Sequence, residues 1–268
     1  IMHYMMDWFR MPSSFDNPLW LSQILQGMAM KYAVEHWRRS MPRGMGTLYW
    51  QLNDCWPVTS WASIDYHGRW KALHYMAKKF YNPVLLSAVE DKAAGTVEIH
   101  LTSDLLEPVR GAVSWTAWSV QGEKLSGGSF GAVAEPLRSS ILKKIDLGKA
   151  ISKAGLSGIL LQMEFCAGPD ILSKNMSLFV RPKQVELQKP GISAEVKGDG
   201  DSFAVSLRAG KPALWTWLEL DGCDARFSDN FFHLFPSSKV EVKVEPTEKM
   251  PLKLFKGKLN IRSLVDMY

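Results

Sequence analysis

Beyond about residue 87 the apolar and polar positions alternate in short runs. Val97, Ile99 and Leu101 alternate with Glu98 and His100, and Val113, Trp115 and Ala117 with Ser114 and Thr116. Ile159, Leu161, Met163 and Phe165 repeat the pattern. A side-chain period of two is that of a strand with one face buried. Gly127-Gly128 and Gly168-Pro169 read as turns between such strands. After about residue 183 the theme recurs: Phe203, Val205 and Leu207, then Val240, Val242 and Val244 against Lys239, Glu241, Lys243 and Glu245. Trp215 to Leu220 reads as a further strand. Two all-β segments follow from this, 87–182 and 183–268, each an antiparallel sandwich. No exact repeat links them, and the boundary near Arg181-Pro182-Lys183 is soft. Trp115 and Trp118, three apart on one strand, point to opposite faces, so they form no aromatic row for binding a ligand.

Residues 1–86 follow another rhythm. Asn17-Pro18 reads as a helix start, with Asn17 as cap and Pro18 in the first turn. Leu21, Leu25, Met28 and Tyr32 then give one apolar face, through about Arg39, until Met41-Pro-Arg-Gly44 breaks the helix. Thr47 to Leu52 is apolar and β-favouring on both faces, as in a buried parallel strand. A second helical stripe, Trp70, Leu73, Ala77 and Phe80, leaves Lys71, Lys78 and Lys79 off its face and ends at Asn82-Pro83. One strand and two helices close no core, and a lone parallel strand leaves both edges unpaired. The partner strands are expected elsewhere, most simply upstream of residue 1. The apolar face of this region is expected to pack on the second region or on another copy.

Composition sharpens the division: seven of the eleven Trp and nine of the thirteen Met precede residue 86. The formal charge of +5 is scattered, with no run of five basic residues, which excludes a nucleic-acid patch. Cys55, Cys166 and Cys223 are too few and too far apart for a disulfide framework, and Cys166 reads as a small core residue. No stretch approaches the roughly 20 apolar residues of a membrane span. The start, Ile1 to Trp8, lacks the cationic and apolar segments of a signal peptide and looks cut from a longer chain.

The chemistry-bearing stretch runs from Gly46 to Pro57 and on to Asp65. There a strand empties into a loop crowded with Asn53, Asp54, Trp56 and Trp61. Polar and indole groups delivered at a strand's C-terminal end are how an α/β barrel builds part of a sugar site. Trp50 and Trp56 offer indole faces for the C–H face of a sugar; the alternative is burial as core. Asp54 and Asn53 either orient sugar hydroxyls or satisfy their own loop. Trp61 and Trp70 read as packing, and Glu35, in mid-helix, as a solvated charge. Glycoside hydrolysis needs two facing carboxylates; Asp54 is the only acid just past the strand, and one acid is not a pair. The six histidines show no metal spacing, so no metal site is expected. Ser228-Asp229-Asn230 reads as a polar turn between aromatic strand ends.

Three stretches carry a resemblance. Leu48-Tyr-Trp-Gln-Leu-Asn-Asp-Cys-Trp-Pro57, Ser60-Trp-Ala-Ser-Ile-Asp65 and Gly68-Arg-Trp-Lys-Ala-Leu-His-Tyr75 resemble the last barrel strand and helix of β-mannosidases, within the β-galactosidase/β-glucuronidase-type retaining glycoside hydrolases (family 2). Trp217 to Gly222, Arg226 to Phe231 and Ile261 to Tyr268 resemble the C-terminal β domain of that family. The resemblance implies a multidomain fold: the end of a (β/α)8 barrel in residues 1–86, then two immunoglobulin-like sandwiches, 87–182 and 183–268. It implies an exo-acting parent that removes terminal β-mannose through a covalent intermediate, without cofactor. The family's acid/base Glu follows an Asn, and its nucleophile sits in a Ser-Glu-(Phe/Tyr)-Gly run. Neither motif occurs here, so no catalytic residue carries over, and both are expected upstream. The aromatic position at the end of the last barrel strand does carry over, onto Trp50 with Trp56 beside it. The implied partners are a β-mannoside or related oligosaccharide and the upstream part of the same enzyme. Another β-glycoside (β-galactoside or exo-β-glucosaminide) and a non-catalytic structural or carbohydrate-binding module remain open.

Overall fold

The computed structural model describes residues 2–236 and 238–268; Ile1, first of the Met-rich start, and Ser237 lie outside them. The middle of the chain forms seven strands: β1 (Val84–Asp91), β2 (Thr96–Ser103), β3 (Val109–Ser119), β4 (Lys124–Ala134), β5 (Arg138–Asp146), β6 (Ile159–Ala167) and β7 (Asp170–Leu178). They pair antiparallel in two sheets, β1-β2-β5 and β4-β3-β6-β7. The alternating residues face inward as the pattern requires: Val97, Ile99, Leu101, Val113, Ala117, Leu161, Met163 and Phe165 are buried in one core. Trp115 is partly buried against that core. Trp118 lies outside it, its indole N–H donating to Gln162 Oε1 at 2.9 Å. The Gly127-Gly128 pair is not a turn but the interior of β4. Its reason is steric: a Cβ on Gly128 would come within 3.2 Å of the Trp115 indole, its cross-strand neighbour. Gly168, with φ +59, does make the turn between β6 and β7.

The C-terminal third forms seven more strands: β8 (Ser193–Asp199), β9 (Ser202–Arg208), β10 (Ala213–Leu220), β11 (Ala225–Phe227), β12 (Phe232–Leu234), β13 (Val240–Pro246) and β14 (Leu259–Arg262). Their sheets run β11-β13-β9-β8 and β12-β10-β14, around a core of Phe203, Val205, Leu207, Leu218, Val242, Val244 and Phe255. β10 is central and buried almost throughout, so both its faces need cover. A bulge between Ala213 and Thr216 puts Trp215 at φ 46, a left-handed conformation that costs a non-glycine residue about 1–2 kcal/mol. Beyond the last β12 pair the edge of β10 is satisfied by a side chain. Asn230, buried, accepts from Leu218 N at 2.8 Å and donates to Leu218 O at 3.0 Å, as a neighbouring strand would. The polar turn read from Ser228-Asp229-Asn230 is thus a structural plug.

Five α-helices are described, α1 (Met2–Trp8), α2 (Asn17–Arg39), α3 (Ala72–Phe80), α4 (Gly148–Ala154) and α5 (Leu252–Lys258), with short 3-10 turns at Leu156–Gly158, Pro182–Gln184 and Leu264–Met267. The extent of α2 matches its start and stop signals. Its buried stripe is Leu21, Ile24, Met28 and Val34, with Leu25 half-buried and Tyr32 41% exposed, so the face is rotated from the expected one. Asn17 is not a cap by its side chain. Its amide donates to Ser13 Oγ at 3.1 Å and to the Met267 carbonyl at 3.0 Å. The stretch 46–52 forms no strand. Extended backbone becomes a strand only when a neighbour pairs with it, and the described residues supply one isolated parallel bridge, Asn53 to Ile64.

The chain divides into two compact units, residues 1–26, 50–75 and 187–268 in one and 27–49 and 76–186 in the other. In the second unit, the later part of α2 is held against the middle sandwich by buried charge. Glu35 is not solvated; it is 3% exposed, and it bonds Lys31 Nζ at 3.1 Å and Asn175 Nδ2 at 2.8 Å. Asn175 also donates to Leu86 O at 2.7 Å, and Ser173 Oγ accepts from Leu86 N, so β7 side chains tie down β1. One turn on, the buried Arg38 guanidinium donates to Phe80 O at 2.7 Å, Asn82 O at 2.8 Å and Asp104 Oδ2 at 2.8 Å. A cation at the C-terminal end of α3 is where the helix dipole favours it. Replacing Arg38 with Met orphans two carbonyls, while the half-exposed Asp104 is reclaimed by water. We expect a loss of about 2–3 kcal/mol, read as a lower urea midpoint at unchanged m-value. A change under about 0.5 kcal/mol contradicts this assignment.

Candidate functional site

The loop from Trp50 to Lys71 is short of regular structure but dense in hydrogen bonds. Ile64 N donates to Leu52 O at 2.9 Å, Asp54 N to Ile64 O at 3.1 Å, and Lys71 N to Ser63 O at 2.9 Å. Ala62 and Ser63 are fully buried. Ser63 Oγ donates to Leu52 O at 3.0 Å and lies 3.0 Å from His74 Nδ1. Burial holds His74 below the usual imidazole range. Asp65 Oδ1 accepts from the backbone N–H of His67 and Arg69, closing the turn before α3. Two glutamines of α2 clamp the loop from outside: Gln26 Nε2 donates to Trp61 O at 2.6 Å, and Gln23 Oε1 caps α3 by accepting from Ala72 N at 3.1 Å.

Asp54 is the buried polar centre of this loop. Its carboxylate accepts from the Ser60 hydroxyl and, at 3.1 Å, from Lys71 Nζ. The Ser60 hydroxyl, with Lys71 behind it, holds the Asp54 carboxyl below the usual carboxylate range against the opposing effect of burial. Both oxygens of this carboxylate are bonded within its own loop, to side chains rather than to backbone. Asn53 is exposed, with its amide on the Asp54 carbonyl at 3.2 Å. Trp50 and Trp56 are not core: they are 76% and 61% exposed. The Trp50–Gln51 peptide is cis. Trp61 and Trp70, read as packing residues, are also exposed; Trp70 rests on His74 and Tyr75 at its other side. The loop therefore has a polar, hydrogen-bonded interior and an aromatic exterior.

Beneath it, in the same unit, lies an aromatic layer that sequence reasoning missed. Trp20 of α2 stacks near Trp217 of β10 at 5.0 Å, Trp217 on Phe231 at 5.7 Å, and Tyr75 of α3 near Phe231 at 6.1 Å. Burial, with Asp229 nearby, pushes the Tyr75 phenol up to about 12. Arg69 reaches from the loop to Asp224 at 3.6 Å. Among the described residues no group of three or more His, Cys, Asp or Glu side chains could hold a metal ion. No described helix is long and apolar enough to cross a membrane.

The described chain thus consists of two antiparallel sandwiches and an aromatic loop set on helices. Residues 95–184 match the mannosidase Ig/CBM-like domain, and residues 187–267 the Ig-fold domain of mannosidases. β-Mannosidase A of Aspergillus clavatus is 32% identical over 239 residues, covering 82% of this chain and 25% of that protein. The β-mannosidase of Rattus norvegicus is 29% identical over 280 residues, covering 95% of this chain and 30% of that one. The β-D-mannosidase of Dictyoglomus thermophilum superposes with a TM-score of 0.85 at 25% identity, over 97% of this chain and 31% of that one. An exo-chitosanase of Amycolatopsis orientalis shares the fold, with a TM-score of 0.65 at 14% identity, over 91% of this chain and 33% of that one. Both sandwiches belong to the mannosidase immunoglobulin-like domain families, and the chain is similar to the C-terminal part of β-mannosidases. It spans between a quarter and three-tenths of the length of these curated relatives.

The depressed Asp54 pKa sets a pH signature. Its stabilising contribution is full above the unfolded value of about 3.9 and disappears as pH falls through the lower folded value. The Asp54→Asn chain should unfold at a lower urea midpoint than the parent chain at pH 6. The two midpoints should converge as pH falls through that lower folded value, because a protonated Asp54 no longer carries the charge that Asn lacks. A gap unchanged at low pH contradicts a charged clamp.

Proposed function

We propose that this chain is the C-terminal portion of a retaining, exo-acting β-mannosidase that hydrolyses terminal β-D-mannosyl linkages without a cofactor. The observation that carries the reading is the exposed indole of Trp50 at the head of a hydrogen-bonded loop, in a chain similar to β-mannosidases along most of its length. In this reading residues 1–86 end a barrel, and 87–182 and 183–268 are sandwiches that brace it. Trp50 and Trp56 form one wall of the sugar pocket, Asn53 offers its amide to a hydroxyl, and Asp54 holds the wall in shape.

The unpaired state of 46–52 supports the barrel reading. Leu48 is 98% exposed and borders an open cleft of about 620 Å³ with His36, Trp37 and Arg43. A parallel neighbour strand laid there would cover Leu48 and complete the ladder. The two catalytic carboxylates of a retaining enzyme must face each other about 5–5.5 Å apart, and we place both in upstream sequence. The sandwiches act as scaffold rather than as sugar-binding modules, since Trp118 is buried and Trp115 faces the core. The names of the sequence relatives favour mannose over other β-glycosides; the 14% match to the exo-chitosanase speaks only to fold.

The chain alone is expected to give no turnover of p-nitrophenyl β-D-mannopyranoside above buffer. Turnover that survives repurification rejects the assignment of the carboxylates. In the full-length parent, Trp50→Ala should lower kcat/KM by roughly thirtyfold, about 2 kcal/mol. An unchanged kcat/KM removes Trp50 from the site.

A further inference from the structure

The tip of the site loop, residues 55–59, has an unusual support. All five residues are exposed, and among the described residues no backbone hydrogen bond begins or ends on them. Trp56 sits in this tip. A segment without bonds of its own takes its position from the closure at its base, because fixing the ends is what removes the loop's freedom. Here the base is closed by side chains. The Ser60 hydroxyl donates to Asp54 Oδ1, Lys71 Nζ donates to Asp54 Oδ2 at 3.1 Å, and Ser60 Oγ accepts from Ala62 N at 3.0 Å. The relay joins residue 54, before the tip, to residue 60, after it, and to Lys71, one residue ahead of α3. The Asp54 side chain is 2% exposed and that of Lys71 15%, so the pair is shielded from water and from screening salt.

We propose that Asp54 is a positioning residue: with Ser60 and Lys71 it fixes the 55–59 tip and so sets the pose of the Trp56 indole. The functional meaning rests on the reading of Trp56 as a sugar platform; the mechanical claim does not. An ionised carboxylate suits this place because it accepts two bonds at once, one from a hydroxyl and one from an ammonium. Asn in its place keeps a single acceptor oxygen, and Ala keeps none.

The test is ¹⁹F NMR of the chain labelled with 5-fluorotryptophan, with Trp56 assigned through Trp56→Phe. In Asp54→Ala and in Lys71→Met the Trp56 resonance is expected to move toward the free fluorotryptophan position and to narrow. The buried Trp118 and Trp217 resonances should stay in place. Ser60→Thr, which keeps a hydroxyl, should retain the parent Trp56 resonance, whereas Ser60→Ala should lose it. A Trp56 resonance unmoved in both Asp54→Ala and Lys71→Met overturns the proposal. If Asp54→Ala disturbs Trp118 and Trp217 as well, Lys71→Met and the Ser60 pair decide. β-1,4-Mannobiose added to the parent chain separates the two claims. A Trp56 resonance that moves in Asp54→Ala but ignores mannobiose keeps the positioning role and removes the sugar platform. One that responds to mannobiose and is indifferent to Asp54 does the reverse.

Discussion

Trp217 fixes much of the first compact unit. It stands on β10, a strand whose inner face fills the sandwich core and whose outer face would otherwise leave an indole in water. Trp20, Phe231 and, at Trp215, Phe9 cover that face at ring distances of 5.0, 5.7 and 6.3 Å. Aromatic pairs at such separations contribute about 0.5–1.5 kcal/mol each beyond the area they bury. Residues 2–26 and 50–75 of this unit contain helices but no strand, so they have no sheet of their own to lie on. The aromatic layer on β10 gives them one. The chain end is gripped by the same elements: Ser13 and Asn17 bond the Met267 carbonyl, and Arg10 lies over the Tyr268 ring.

From that layer the support of the site follows in steps. Tyr75 packs on Phe231 and sets the start of α3; Trp20 sets α2. Gln26 then reaches from α2 to Trp61 in mid-loop and Gln23 to Ala72 just past the loop's end, and the Asp54 relay closes its tip. The loop turns its hydrogen bonds inward and its indoles outward. The sugar wall we propose needs both: stacking surface that is free, and a frame that does not yield when a ligand presses on it. The second unit solves a parallel problem with charge, burying Glu35 and Arg38 against β7, the end of α3 and the β1–β2 region. Buried charges tolerate few alternative partners, so they fix where the helix sits.

The strands were legible because each carries its own evidence. Val97-Ile99-Leu101 and Phe203-Val205-Leu207 announce one buried face by period alone, and helix α2 announces its ends through Asn17-Pro18 and Gly44. The unread parts are those whose state depends on something distant in sequence. Glu35 looks solvated until Asn175, 140 positions away, is brought beside it. Thr47 to Leu52 has the composition of a strand, but a strand is a property of two segments, and the second is missing from this chain's described pairings. Trp61 and Trp70 look like core because indoles usually are, yet they flank a loop whose interior is already filled by polar groups. Asp54 was found as a candidate through its place after the strand. Only Ser60 and Lys71 show what it holds.

The central claim is that the terminal sandwich is the foundation of the site loop. Hydrogen exchange of the Trp217→Leu chain at neutral pH tests it most directly. The account predicts that the bonded amides of Asp54, Ser63, Ile64 and Lys71 lose protection while β2, β3 and β6 keep theirs. Loop amides as protected as in the parent chain, in a variant whose aromatic layer is demonstrably loosened, would contradict it.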